Sequence, residues 1–177
     1  MHASIYIATS LDGFIARENG DLDWLPPIGP GPDDEDYGYK AFMATVDALV
    51  MGRHSYEKVR TLGAWPYEQK PVVVLSSRTL EIPRELASTV EWMSGTPTEV
   101  VDRLAARGMK HLYVDGGRTV QGFLTAGAIQ RLIITQIPVL IGKGIPLFGP
   151  VQRDIRLHHV ATRSYPNGLV QSEYTVL

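Results

Sequence analysis

Three short stretches carry residues that could hold an anion. Gly52-Arg53-His54-Ser55, Ser76-Ser77-Arg78-Thr79 and Gly116-Gly117-Arg118-Thr119 share one grammar: small residues or hydroxyls, and a single Arg. Arg offers a permanently charged, forked donor that matches phosphate better than Lys does. Glycines let backbone come close to a pyrophosphate. Where such residues open a helix, the free N–H groups of the first turn and the macrodipole add to the attraction. The chemistry these residues suit is the binding of a phosphorylated dinucleotide. The plainer alternative is three surface turns with solvated Arg side chains.

Each stretch follows a short, bounded apolar run, as a buried strand would supply. Ala48-Leu49-Val50-Met51 ends at Gly52, Pro71-Val72-Val73-Val74-Leu75 at Ser76, and His111-Leu112-Tyr113-Val114 at Asp115. A helix over 55–62 is expected after the first, with Ser55 as its cap and Tyr56, Val59 and Leu62 at helical spacing. Another helix follows the third, to about residue 126. In an open α/β sheet, ligands bind beyond the carboxyl ends of the strands, so the three stretches could line one crevice.

The rest of the chain supplies a frame for that crevice. The first strand is expected over 3–8, and Ser10-Leu11-Asp12-Gly13-Phe14-Ile15-Ala16 turns out of it. A long loop rich in Gly, Pro and Asp spans 17–34, and loops of that length are usually functional or disordered. Trp24, in its middle, is read either as a core plug or as a ligand contact. A helix over 33–46 follows, with Asp33, Asp34, Glu35 and Asp36 in its dipole-favoured first turn and an apolar stripe of Tyr39, Phe42, Met43 and Val46. A short strand is expected over 89–93 and a helix over 97–107, with Thr96 as cap and Pro97 at its first position. After a strand over 131–138, Gly142-Lys143-Gly144 reads as a turn whose lysine could reach a substrate phosphate. Strand-like runs at 155–165 and 169–176 flank Pro166-Asn167-Gly168, a strong hairpin signal. His158 and His159 fall in the first of these runs and are expected at the surface. Alternating strands and helices imply one α/β domain over 1–177, with a mostly parallel central sheet of about eight strands, about four helices and a C-terminal antiparallel hairpin.

Composition narrows the function classes. Of 177 residues, 44% are hydrophobic and 20% charged, which marks a globular chain with a sizeable core. A net charge of -2 argues against a general nucleic-acid binder. No apolar run approaches a membrane span, and the N-terminus lacks a basic region and a cleavage pattern. With no cysteine there is no disulfide, thiol nucleophile or thiolate zinc site, which fits a cytoplasmic protein. The histidines lack H-E-x-x-H spacing, so no metal site is expected. G-x-G-x-x-G, G-x-x-x-x-G-K-[ST] and G-x-S-x-G are all missing, which sets aside a Rossmann enzyme, a nucleoside triphosphatase and an α/β-hydrolase.

Several of these residues together resemble the dihydrofolate reductase superfamily, and over essentially the whole chain. Val50-Met51-Gly52-Arg53-His54-Ser55-Tyr56-Glu57 is similar to the family segment that binds the NADPH phosphates. Val74-Leu75-Ser76-Ser77-Arg78 resembles the segment at the adenosine 2′-phosphate end. Asp115-Gly116-Gly117-Arg118, followed by Phe123-Leu124, resembles the family's glycine pair, which carries a cis peptide and faces the pyrophosphate and nicotinamide. Ile15-Ala16-Arg17-Glu18-Asn19-Gly20 is similar to the mobile loop beside the nicotinamide. Trp24 resembles the tryptophan beside the pterin, Asp36 has the spacing of the acid that holds the pterin ring, and Thr135 resembles the threonine supporting that acid. The resemblance thus implies Asp36, Thr135 and Trp24 at the reacting ring. It implies NADPH held by Ala8, Ile15, Gly20, Gly52, Arg53, His54, Ser55, Leu75, Ser76, Ser77, Arg78, Val114, Asp115, Gly116, Gly117, Arg118 and Thr119.

Other stretches lean to the reductase domain of the riboflavin-biosynthesis deaminase-reductase. Ser10-Leu11-Asp12-Gly13-Phe14-Ile15-Ala16 resembles its S-L-D-G-x-I-A opening, and Pro138-Val139-Leu140-Ile141-Gly142-Lys143-Gly144 its P-x-L-L-G-x-G stretch. The zinc deaminase half is not expected in a chain without cysteine, and Asp115 stands where dihydrofolate reductases have glycine. What the resemblance implies is a dihydrofolate reductase-like three-layer sandwich that passes a hydride from NADPH to a heterocycle. That heterocycle is either a dihydropterin or 5-amino-6-(5-phosphoribosylamino)uracil. A non-catalytic nucleotide-binding protein on the same fold is the alternative of another class. The loop over 16–34 would be the lid, and the riboflavin branch implies a homodimer.

Overall fold

Runs of Val, Leu and Ile bounded by Gly, Pro or Asp become the central strands. The computed structural model describes residues 1–26 and 35–177. In chain order the elements are β1 (His2–Ser10), β2 (Phe14–Ala16), α1 (Tyr39–Thr45), β3 (Ala48–Gly52), α2 (Arg53–Arg60), β4 (Val72–Leu75), β5 (Val90–Met93), α3 (Pro97–Ala106), β6 (His111–Asp115), α4 (Gly117–Thr125), β7 (Arg131–Ile137), β8 (Ile145–Pro146), β9 (Leu157–Ser164) and β10 (Val170–Val176). Eight strands form one sheet in the order β5-β4-β3-β6-β1-β7-β10-β9, while β2 and β8 make a separate two-stranded ribbon. All neighbours from β5 to β7 run parallel, and β10 and β9 add the antiparallel edge. This is the expected α/β sandwich with its C-terminal hairpin.

Strand periodicity builds the two cores. Val50, Val73, Leu112, Val114 and Leu132 face one way, onto Val100 and Leu104 of α3 and Val120 and Phe123 of α4. Leu49, Met51, Val72, Val74, Tyr113 and Ile133 face the other way, onto Phe42 of α1 and Tyr56 of α2. Strands covered on both faces need apolar side chains at every position, which is why β3, β4 and β6 read as unbroken apolar runs. Every residue of β9 is exposed, His158 and His159 among them.

Five local expectations are corrected. The first helix does not begin in the acidic run. Tyr37 (φ 57°) and Gly38 (φ 88°) are left-handed, so helical backbone cannot pass through them, and α1 starts at Tyr39. Asp33 and Asp34 lie outside the described residues. Ser55 does not cap α2: the helix begins two residues earlier, with Gly52 at the cap position and no side-chain cap bond. Residues 14–16 and 145–146, expected as turn and loop, pair as the β2–β8 ribbon. Finally, no peptide bond among the described residues is cis, so the Gly116–Gly117 bond is trans, with Gly116 at φ 90° making the sharp turn into α4. Thr96, by contrast, caps α3 as expected: its hydroxyl accepts the Glu99 N–H, and the Glu99 carboxylate accepts the Thr96 N–H.

Candidate functional site

The carboxyl ends of β3 and β6 lie side by side, with Met51 paired to Asp115 in the ladder. Each strand hands over directly to a helix, β3 to α2 through Gly52 and β6 to α4 through Gly116. The glycines allow these junctions to approach. A Cβ at Gly52 would stand 2.8 Å from the Thr119 hydroxyl. A Cβ at Gly116 would run into the Ser55 hydroxyl and come within 4.0 Å of the Gly52 nitrogen. Neither helix has a side-chain cap, so two helix N-termini open together, with Ser55 and Thr119 between them. Paired first turns of this kind suit two linked phosphates.

The other expected site residues lie on these and neighbouring elements. Leu75 pairs with Gly52 in the ladder, so Ser76, Ser77 and Arg78 emerge on the β4 side. Ser77 and Arg78 are exposed, and the Ser76 hydroxyl accepts the Arg78 N–H at 3.1 Å. Arg53 pairs with Glu57 at 3.1 Å on α2, while the His54 ring and Arg118 are open to solvent. Val114 points its side chain into the α3–α4 core, which leaves only its backbone for a ligand. Ile15 of β2 packs over Gly117, where a Cβ would lie 3.2 Å from its Cδ1 atom. Ala8 and Thr135 are ladder partners at the far side. Gly20 turns a loop that Asp21 fastens to α2 through Lys58 at 2.8 Å. Within that loop the indole N–H of Trp24 is buried without a partner among the described residues.

The structure explains the two glycine-bearing motifs at 10–16 and 138–144 as one unit. The Asp12 carboxylate accepts the N–H groups of Gly142 (2.7 Å) and Ile141 (3.3 Å), and β2 pairs with β8 beyond them. The ribbon thereby reaches Gly117. Sequence reading named both motifs but not their joint role, because the contact spans about 130 residues.

Two carboxyl groups, those of Asp36 and Asp115, differ sharply. Asp36 accepts the N–H groups of Lys40 (2.8 Å) and Gly38 (3.0 Å), and these bonds hold its carboxyl below the usual Asp range. Among the described residues no hydrogen bond joins it to Thr135, whose hydroxyl accepts instead from the Gln171 amide at 3.0 Å. Asp115 lies at the end of β6, and burial pushes its carboxyl up to about 6. Burial first, and the Asp115 charge second, push the Tyr39 and Tyr67 hydroxyls up. Those two tyrosines line a depression of about 680 Å³ between α1 and residues 66–71. A smaller one, of about 290 Å³, lies on the other side of α1, against β7, β10 and β9. Neither depression is lined by Gly52, Ser76 or Gly116.

Comparison with known proteins places this arrangement. The family model of the RibD C-terminal domain matches residues 4–171. The Bacillus subtilis protein YwjB is 35% identical over 164 residues, covering 91% of this chain and 90% of that one. A crystal structure from Shewanella sp. PV-4, of a protein named for riboflavin biosynthesis, superposes with a TM-score of 0.93 at 38% identity, covering 100% of this chain and 99% of that one. Dihydrofolate reductase from Enterococcus faecalis, in a complex with NADP(H), shares the fold with a TM-score of 0.67 at 19% identity, over 99% and 96% of the two chains.

Proposed function

The chain belongs to the RibD C-terminal domain family, and from that premise we propose that it is an NADPH-dependent reductase acting on a planar nitrogen heterocycle. One observation carries the reading: two uncapped helix N-termini, α2 and α4, meet at Gly52 and Gly116. That junction fits the pyrophosphate of a dinucleotide. Exposed Ser77 and Arg78 on the neighbouring strand end suit the 2′-phosphate that separates NADPH from NADH. Arg53 and Arg118 would lie at the phosphates, Ile15 and Gly117 toward the nicotinamide. The cofactor, when bound, supplies the hydride.

The chain's own residues position the acceptor and supply a proton. Reducing a C=N bond places a hydride on carbon and a proton on nitrogen. Asp115 is suited to hold that proton, because burial keeps its carboxyl partly protonated near neutral pH. The heterocycle would lie at the carboxyl ends of β3 and β6, where Asp115 stands beside the glycine junction. The first acceptor we assign is the ribosylaminopyrimidine of riboflavin synthesis. Asp36 then serves as the anchor that starts α1.

Incubation with NADPH and a panel of ribosylaminopyrimidines and dihydropterins, followed by loss of reduced-nicotinamide absorbance, tests the reading. Oxidation of NADPH coupled to one acceptor is expected. Binding of NADPH without turnover on any acceptor would favour a nucleotide-binding protein and contradict the enzyme.

A further inference from the structure

The Asp36–Tyr37–Gly38 turn is held by contacts that no local sequence signal announces. Tyr37 sits at φ 57°, a conformation a bulky residue adopts only when its surroundings impose it. Its carbonyl accepts the Tyr6 hydroxyl at 2.7 Å and the Gln171 amide at 3.1 Å. Its own hydroxyl accepts the Asn167 amide at 2.8 Å, and its ring meets the edge of Tyr165 at 4.9 Å. The partners come from β1 and from the C-terminal hairpin, more than a hundred residues away in the case of the hairpin.

Gln171 reaches further than the turn. It stands opposite Thr135 in the β10–β7 ladder. Its Nε2 lies 3.0 Å from the Thr135 hydroxyl, 3.1 Å from the Tyr6 hydroxyl and 3.1 Å from the Tyr37 carbonyl. Two amide hydrogens are thus shared among three acceptors. We propose that Gln171 is a positioning residue for the reductase site, fixing Thr135 on the sheet and the strained turn that sets α1 with a single side-chain amide. Asp36, next to Tyr37, fastens the Gly38 and Lys40 N–H groups only while that turn keeps its shape. Tyr39, the first residue of α1, packs on the core face that carries Met51, the ladder partner of Asp115. Loss of the amide therefore misplaces the acceptor and leaves the strand ends that would hold the cofactor untouched.

The inference rests on the proposed reductase reading, and its test separates the two. In Gln171→Leu, hydrogen–deuterium exchange at the Gly38 and Lys40 amides is expected to quicken about tenfold or more, with β3 and β6 unchanged. The acceptor KM is expected to rise about tenfold, while the NADPH Kd stays within about twofold. Asn167→Ala removes only the contact to the Tyr37 hydroxyl, and a smaller acceleration at the same two amides is expected. Should Gln171→Leu not fold, Gln171→Glu, which keeps the side-chain size and removes the amide donors, decides by the same exchange measurement. Unchanged exchange at Gly38 and Lys40 overturns the proposal, as does a loss of NADPH affinity equal to the rise in KM. If no acceptor is ever turned over, faster exchange still supports the positioning role, and the failure belongs to the reductase reading.

Discussion

The two walls of the proposed site are built by opposite means. On the wall of β3, β4 and β6, each candidate anion-binding segment is contiguous: a strand, a glycine or serine, an Arg, then a helix or turn. On the wall of α1, β7 and β10, the geometry is held by side chains far apart in the chain, through Gln171, Tyr6, Tyr37 and Asn167. The first wall is set by backbone geometry and tolerates little change at its glycines. The second is a hydrogen-bonded network and should yield by degrees.

The largest effect expected from that contrast is at Gly116. Its φ of 90° disfavours any side chain, and a Cβ there meets the Ser55 hydroxyl. Gly116→Ala should lower stability by about 2–4 kcal/mol, from backbone strain and overpacking together, and NADPH affinity by about a hundredfold or more, or roughly 3 kcal/mol. Ser55→Ala in the same chain should restore part of the stability, because it removes the nearest atom and leaves the strain. Full rescue would show that sterics alone matter, and no rescue that the junction is not where the two helices meet.

Asp115 and Asp36 sharpen the comparison through pH. The folded-state carboxyl of Asp115 titrates at about 6, above the 3.8 of an ordinary Asp. Its contribution to stability is therefore full below about pH 4 and is lost as pH rises through 6. Asp115→Asn should gain stability on the order of 2 kcal/mol at about pH 8, while turnover falls about a hundredfold if the residue delivers the proton. A variant that keeps full turnover would remove Asp115 from the chemistry.

Much of the first wall was legible in sequence, and the reason is locality. Gly52-Arg53, Ser76-Ser77-Arg78 and Gly116-Gly117 each sit where an apolar run stops, so strand, turn and helix can be read from neighbours alone. The second wall was not. The acidic run before Tyr39 resembles a dipole-favoured first turn, yet Tyr37 and Gly38 are left-handed because distant partners hold them. Gln171 looks like an ordinary polar strand residue, and only the ladder that sets it across from Thr135 gives it a role. The β2–β8 ribbon was hidden for the same reason: two- and three-residue strands carry no period, and Asp12 joins their flanks across the chain.

Arg78→Ala should be milder than either change above. It is exposed, so losing a charge-assisted bond to a 2′-phosphate should cost NADPH about tenfold and NADH almost nothing. Equal losses for both cofactors would assign Arg78 a structural part instead. The smallest change concerns Asp36→Ala, which removes an anchor for two N–H groups at the start of α1. A loss of about 1 kcal/mol is expected at neutral pH. Because the folded carboxyl titrates below 3.8, that stabilisation is present above pH 4 and disappears as pH falls through the lowered value. A turnover loss as large as that of Asp115→Asn would return the acid role to Asp36.

The central claim is that the paired N-termini of α2 and α4 hold a phosphorylated dinucleotide. An equilibrium fluorescence titration of the unmodified chain with NADPH, repeated on Gly116→Ala, tests it most directly. Saturable binding below roughly 1 mM, weakened about a hundredfold by the substitution, is the predicted result. Absence of saturation in the unmodified chain, or equal affinity in the folded variant, would contradict it.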